Sequence, residues 1–274
     1  MDVRRADLHT HTVRSDGKLL PEELVKKVHA AGLRALAITD HDAVDALEEA
    51  RPVADRLGVE LITGVELSVT VGDEEIHLLG YGFDPRHAGL RAHLETFRQR
   101  RMERAEAIVA RLRELGLPVR MDAVLERAAG GVVGRPHVAQ ALVDAGLVPS
   151  YDSAFANYLR DDGPAFVSKP RFPAREAVAL LHDAGGVAVL AHPGTRVDGF
   201  TIEKLVAVGM DGIETVHPSH SPALTRRYGD LARKSGLIQT GGSDYHGFRP
   251  GEDENLFTYS IPYRRLEQIR RAAA

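Results

Sequence analysis

Short apolar runs alternate with helical segments up to about residue 85 and again from about residue 171, and this alternation most limits how the chain can fold. "ADLHTH" leads into a helix that opens at Pro21, a residue suited to a first helical position, and closes near Gly32. "RALAITDHD", a helix from about Val44 to Leu57 with Gly58 behind it, "VELITGVELSV" and "EIHLLGYGF" continue the series. "GGVAVLAHPG", "DGIETVHPSHS", "LIQTGGSDYHG" and "LFTYSI" resume it. Apolar strands separated by helices predict a parallel α/β architecture, a barrel or partial barrel. From about Pro85 to Pro170 the pattern is helical only, beginning with the long amphipathic stretch "LRAHLETFRQRRMERAEAIVARLRELG". The expected division is a discontinuous barrel, 1–85 and 171–274, carrying an all-helical insertion, 86–170.

Histidines and carboxylates collect at the predicted strand ends, where α/β barrels place their active sites. His9 and His11 lie two apart, so on a strand their rings share a face and can hold one ion. Asp16 follows in a Gly-containing turn able to reach over the same mouth. "TDHD" adds Asp40 and His41, "GVELS" adds Glu66, and "EIHLLGY" adds His77 inside an apolar run. "AHPG" adds His192, and "GGSDYHG" adds Asp244 and His246. Singly, Asp16 reads as a turn former and His77 as a satisfied core histidine. His29, His87, His93 and His182 read as solvated. Jointly, His9, His11, Asp16, His41, Glu66, His77, His192, Asp244 and His246 would be unpaired buried polar groups unless cations sit among them. These exceed one ion's needs, so two or three divalent metals with a bridging carboxylate are expected. The chain has no cysteine, which leaves nitrogen and oxygen as the donors. A centre of this kind generates a hydroxide near neutral pH and clamps the oxygens around phosphorus, so no protein nucleophile is required.

"DLHTHTVRSDG", "AITDHD", "GVELS", "AHPG" and "GSDYHG", in this order, resemble the motifs of the polymerase-and-histidinol-phosphatase (PHP) superfamily. The resemblance implies a distorted (β/α)7 barrel with a trinuclear metal centre. It implies that His9, His11, Glu66 and Asp244 hold one metal. Glu66, as the bridge, His77 and His192 would hold a second, and Asp16, His41 and His246 a third. Asp40 would orient a ligand from behind. Some family members carry histidine where this chain has Asp16, and oxygen there shifts preference towards manganese or iron over zinc. Manganese is the expected metal, with iron or zinc as alternatives.

Within the insertion, Gly134, Arg135, Pro136, His137, Tyr158, Leu159, Gly163 and Lys169 are similar to the cap of PHP phosphoesterases that act on nucleotides. That similarity implies Arg135 and Lys169 on substrate phosphates and His217, from "ETVHPSHS", near the scissile group. The expected reaction is hydrolysis of a nucleotide phosphate ester by a metal-bridging hydroxide, with Glu66 bridging. The substrate would be the 3′-phosphate of a 3′,5′-nucleoside bisphosphate, or short 5′-phosphorylated RNA degraded from its 5′ end. A histidinol-phosphatase-like phosphomonoesterase and a non-catalytic metal-binding PHP module are the alternatives. Amidohydrolases share His-x-His on a barrel but not this motif order.

A formal charge of −4 gives no general pull on polyanions, and no P-loop or Gly-rich nucleotide fingerprint supports a kinase or dehydrogenase. No apolar run is long enough to span a bilayer, so a cytoplasmic enzyme with no membrane and no stable protein partner is expected. Arg98, Arg101 and Arg104 recur at helical spacing with Glu95, Glu103, Glu106 and Glu114 among them, which predicts a salt-bridged, solvated face. Tyr158 and Phe166 suit either base stacking or core packing.

Overall fold

The structure, a computed structural model, describes residues 4–248 and 251–273. The first part runs β1 (Arg5–Asp7), α1 (Pro21–Ala30), β2 (Ala35–Ile38), α2 (Ala46–Leu57), β3 (Glu60–Val71) and β4 (Glu74–Tyr81). A helical stretch follows: α3 (Ala88–Glu114), α4 (Met121–Ala128), α5 (Arg135–Asp144) and α6 (Tyr151–Ala154), which continues as a π-helical turn to Leu159. The last part is α7 (Ala174–Asp183), β5 (Val187–Leu190), α8 (Gly199–Ala207), β6 (Gly212–Val216), α9 (Pro222–Ser235), β7 (Ile238–Gly241), α10 (Glu252–Thr258), β8 (Ile261–Pro262) and α11 (Leu266–Ala272).

The strands form one sheet in the order β7-β6-β5-β4-β3-β2-β1-β8, curled into a nearly closed α/β barrel of the expected class. Leu8 N–H donates to Gly241 O, Asp244 N–H to His9 O and His11 N–H to Tyr245 O, which brings the segment after β1 onto the segment after β7. Period-two alternation sorts the faces. Ala35, Ala37, Leu79, Tyr81, Val187 and Val189 share the barrel interior. Leu36, Ile38, Leu78, Ala188 and Leu190 pack outward with Leu24, Val28 and Val178 of the helices. His77 lies on the same side of β4 as Leu79 and Tyr81, so a polar ring enters the barrel by the register that buries its neighbours.

Two expectations are corrected. The sheet is mixed, because β4 runs antiparallel to both β3 and β5. β3 and β4 are separated by Gly72 and Asp73 alone, with Gly72 at φ +63°, and two residues leave room for a hairpin but not for a crossover helix. Glu66 therefore sits within a long strand, and His77 enters the mouth from the N-terminal half of its strand rather than from a C-terminal end. The run "LFTYSI" is not one strand. Glu252, Asp253 and Glu254 form an acidic first turn behind Gly251, which suits a helix N-terminus, and only Ile261–Pro262 pairs, antiparallel, with β1.

α3 links the barrel to the other helices. Leu90, Leu94 and Phe97 join the barrel's outer core, whereas Ile108, Val109 and Leu112 pack with Val124, Val138, Leu142 and Leu159 in a second core. Among the described residues no helix is long and apolar enough to cross a membrane.

Gly242 marks where the closing segments approach most tightly: a Cβ there would overlap the Cβ and backbone nitrogen of His9. Gly242→Ala is expected to cost about 1–3 kcal/mol, as overpacking does, and to displace His9. Urea unfolding of the variant checks this, and a midpoint equal to that of the parent chain would contradict it.

Candidate metal centre

The turn after β1 is pinned before any ligand is considered. Thr39 N–H donates to Thr10 O at 2.9 Å, and Thr10 Oγ1 donates to Ala37 O at 2.8 Å. Asp40 accepts from Thr12 N–H at 2.7 Å, Thr12 Oγ1 at 2.6 Å and Ser15 Oγ at 2.7 Å, so it braces the His11–Asp16 turn. Asp42 N–H donates to Glu66 O and Glu66 N–H to Asp40 O, which sets His41 beside Glu66.

Glu66 is the hub. Oε2 lies 3.2 Å from Nε2 of His9, 3.2 Å from Nε2 of His11 and 3.3 Å from Nδ1 of His41. Oε1 lies 2.8 Å from Nδ1 of His77 and 2.9 Å from Nε2 of His192. The five rings form a closed circuit around it, with successive centroids 4.8–5.5 Å apart. Asp244 Oδ1 lies 3.4 Å from His9 Nε2 and 3.2 Å from His11 Nε2. Asp16 Oδ1 lies 3.3 Å from His246 Nε2, and Asp16 Oδ2 lies 3.8 Å from His41 Nε2. All nine residues singled out as ligands in the sequence thus face one basin.

Their atoms fall into overlapping groups, each able to surround an ion: His11, Asp16, His41 and His246; His9, His11 and Asp244; His9, Glu66 and His192; His41, Glu66 and His77. Buried His11 Nε2, Asp16 Oδ1, His41 Nδ1 and His77 Nδ1 have no hydrogen-bond partner. Buried polar atoms left without hydrogen bonds around one basin, from a donor set of nitrogen and oxygen, fit divalent cations. The electrostatics agree. Against its burial, Glu66 is held well below the usual carboxylate range by His41, His77 and His9. Asp16 and Asp244 are likewise held down against burial, by His246 and His41 and by His9 and His246 respectively. Burial brings His41 down to about 3 and lowers His77, whereas against burial the surrounding carboxylates raise His9, His192, His246 and, to about 10, His11, so these carboxylates draw positive charge into the basin.

Glu214, absent from the sequence reading, stands directly behind the centre. This buried carboxylate on β6 lies 3.1 Å from His9 Nδ1 through Oε1, and Oε2 accepts the His192 N–H at 2.7 Å. His192 adopts φ +23°, sparsely populated for a residue with a Cβ, and the Glu214 bond helps hold it there. The available signal was a carboxylate inside the otherwise apolar strand "GIETV". Glu214→Gln is expected to weaken metal binding about 10–100-fold, because its amide would face the His192 N–H with a second donor or lose the His9 acceptor. Titration calorimetry with manganese measures this, and unchanged affinity would remove the role. His217 is also set by its surroundings: Ser219 N–H donates to Nδ1 at 3.0 Å, leaving the proton on Nε2, 3.3 Å from Asp244 Oδ2.

A cavity of about 170 Å³ opens onto Asp16, His41 and His77, with Arg101, Arg104, Arg135 and Lys169 on the facing wall. The first two of these correct the reading of α3 as a solvated face. Arg101 and Arg104 are 7% and 6% exposed. They occupy the stripe Leu94, Phe97, Arg101, Arg104, Ile108 and Leu112, whose spacing of three and four residues faces inward. The interspersed glutamates lie on the exposed side. Arg101 Nε donates to Asp42 Oδ2 at 2.9 Å and its Nη2 to Ser68 Oγ at 3.0 Å. Arg135 Nη1 donates to Asp161 Oδ1 and to Leu159 O, and Lys169 pairs with Glu75. Phe166, with Phe155, has its ring 6.0 Å from the Arg135 guanidinium, while Tyr158 packs against the second core.

Comparison with known proteins adds four likenesses. A profile of the PHP domain matches residues 7–94. The 3′,5′-nucleoside bisphosphate phosphatase of Chromobacterium violaceum is 37% identical over 90% of this chain and 88% of its own. The 5′-3′ exoribonuclease of Haemophilus influenzae is 35% identical over 89% of this chain and 90% of its own. A solved structure from Bifidobacterium adolescentis, assigned as a metal-dependent phosphoesterase, superposes with a TM-score of 0.91 at 30% identity, covering 99% of this chain and 97% of the other.

Proposed function

The chain belongs to the PHP family of metal-dependent phosphoesterases, and we propose that it hydrolyses phosphate esters of nucleotides in which a second phosphate flanks the reacting one. Its substrates on this reading are 3′,5′-nucleoside bisphosphates, losing the 3′-phosphate, or short RNA with a 5′-phosphate, shortened from that end. One observation carries the reading: the cation-lined cavity opens onto the same side chains that form the His/Asp/Glu basin. A basin alone suits any phosphomonoester, whereas the facing cations call for a second anion.

In this proposal His9, His11, Glu66 and Asp244 hold one divalent ion, Glu66, His77 and His192 a second, and Asp16, His41 and His246 a third. The oxygen of Asp16 favours manganese. Bound divalent ions lower the pKa of water and neutralise charge that develops at phosphorus. The chain's own groups do the rest. Arg135 and Lys169 orient the flanking phosphate across the cavity. Nε2–H of His217 can donate a hydrogen bond to a phosphate oxygen, with Asp244 keeping that ring aligned, while the departing oxygen takes its proton from water. The barrel, 1–85 and 171–274, supplies the ligands, and the insertion, 86–170, acts as the cap that reads the second phosphate. The similarity to the Chromobacterium and Haemophilus enzymes, named for a bisphosphate nucleotide and for RNA, supports both substrate arms.

The test is manganese-supplemented hydrolysis of 3′-phosphoadenosine 5′-phosphate, of a 5′-phosphorylated RNA pentamer and of histidinol phosphate, with products resolved by chromatography. Free phosphate from the first, or stepwise mononucleotides from the second, is the expected result. Hydrolysis of histidinol phosphate alone, or silence on all three by a metal-loaded protein, overturns the nucleotide reading.

A further inference from the structure

We propose that His220 and Tyr228 are positioning residues for the metal centre: together they clasp Gly194 and so set His192 in register with the ion it shares with Glu66 and His77. Neither residue belongs to the ligand groups found among the described residues. The inference rests on the assignment of His192 to an ion, and not on which phosphate ester is cleaved.

The chain leaves β5 through the turn His192-Pro193-Gly194, which its own backbone holds poorly. Pro193 has no N–H, so the donors of this turn are the amides of His192 and Gly194. His192 at φ +23° and Gly194 at φ +54° both lie in the left-handed region, where a residue with a Cβ persists only if its surroundings hold it. The holds come from the next strand and helix. The His192 N–H goes to Glu214 on β6, the Gly194 N–H goes to Nε2 of His220 at 3.1 Å, and Gly194 O accepts from the Tyr228 hydroxyl at 2.6 Å. Glu214 thus fixes one end of the turn, and His220 with Tyr228 fixes the other.

His220 is 6% exposed and Tyr228 1%, so water does not compete for these bonds. Nδ1 of His220 donates to Thr215 O at 3.1 Å, which places the ring's proton there and leaves Nε2 as the acceptor that the Gly194 N–H requires. Thr215 follows Glu214 on β6, so both ends of the turn are referred to one strand. Tyr228 stands on α9 with its ring centroid 5.2 Å from that of His220, and each side chain limits where the other can go. Between the two holds, Nε2 of His192 lies 2.9 Å from Glu66 Oε1. A ring fixed from both ends of a three-residue turn leaves little ordering to be done when an ion binds, and that raises affinity without any contact to the ion.

Manganese titrated calorimetrically into the metal-stripped full chain tests the proposal, with His192→Ala as the reference. His220→Asn keeps a donor at the Nδ1 position for Thr215 O, whereas His220→Gln carries an acceptor out to the Nε2 position for the Gly194 N–H. Each variant drops one of the two bonds, so their thermal midpoints are expected to fall alike. Their metal binding is expected to part: His220→Asn weakens about 10–100-fold the one equivalent that His192→Ala loses, while His220→Gln stays within about 3-fold of the parent. Tyr228→Phe keeps the packing and loses only the bond to Gly194, and it is expected to weaken that same equivalent about 5-fold. Unchanged affinity in His220→Asn overturns the proposal. Equal weakening in both His220 variants, or of all equivalents together, makes the residue a structural one and overturns it too. Should neither His220 variant fold, Tyr228→Phe decides: loss confined to that equivalent supports the clasp, and unchanged binding overturns it. If His192→Ala keeps every equivalent, the ligand assignment itself fails and the clasp falls with it.

Discussion

Glu66→Gln is expected to abolish phosphate release, lowering kcat by about 10³-fold or more, and to leave the purified protein short of at least one equivalent of metal. The effect exceeds that of removing a single stabilising donor, for which losses on the order of 10²–10³ are usual. The reason lies in the geometry. The two oxygens of Glu66 divide the ring circuit, Oε1 meeting His77 and His192 and Oε2 meeting His9, His11 and His41. An amide replaces one of these oxygens with a nitrogen that is a donor and no ligand, so one side of the circuit loses its partner whichever way the amide turns. The change is nearly isosteric, and a buried carboxylate becomes neutral, so the barrel should still fold. Elemental analysis of metal content beside a steady-state assay makes the measurement. A fully loaded variant with a tenth or more of parental activity would show that Glu66 is not the bridge.

Arg101→Met is expected to be the most destabilising single change outside the metal centre, by about 3–5 kcal/mol, because it strands a buried charge. Asp42 is fully buried and the Arg101 side chain 8% exposed, so solvent cannot take over when the cation is removed. Asp42 also accepts Ser68 N–H at 3.1 Å and adopts φ +51°, so it cannot readily swing out to water. A thermal midpoint about 6–20 °C lower follows from the usual conversion for a chain of this size. The double variant Arg101→Met/Asp42→Asn is expected to recover much of the loss, since asparagine tolerates the left-handed backbone and needs no counter-charge. The pH dependence carries a definite sign. Against its burial, Arg101 and then His41 hold the Asp42 carboxyl below its ordinary value. A carboxyl depressed in the folded state contributes stability that is present above its unfolded pKa, about 4, and lost as pH falls through the folded value. The gap between parent and Arg101→Met should therefore be widest near neutral pH and narrow in acid. Equal midpoints at pH 7 would show that the pair does not carry this stability.

The positions that face the basin were legible because each stands in a short motif in or beside a strand, where period two determines which way a side chain points. His9 and His11 share a face by spacing alone, and the alternation of strand and helix implied a barrel that gathers such ends. Glu214 was not legible in this way: in "GIETV" it belongs to no motif, and its importance comes from the His9 ring and the His192 amide that the sheet brings against it. Arg101 and Arg104 were misread because charge composition suggested a wet face. Their place in the apolar stripe of α3 was present in the spacing, but what the stripe would meet was not. Apolar side chains in that stripe find other apolar groups, while the two arginines find Asp42, Ser68 and the Val167 carbonyl, 33 to 63 residues away in the chain, and a cavity that the turn at Ser15 and Asp16 also lines. The direction of β4 turned on a two-residue link, and the helix at Glu252–Thr258 on its acidic first turn, both local signals overridden by the expectation of a regular repeat. Local periodicity and spacing determined the barrel class and which histidines and acids face its mouth, since these depend on bonded geometry a few residues long. The circuit around Glu66 and the buried Arg101–Asp42 pair were decided by tertiary packing alone, because burial and charge pairing arise only when distant segments exclude water together.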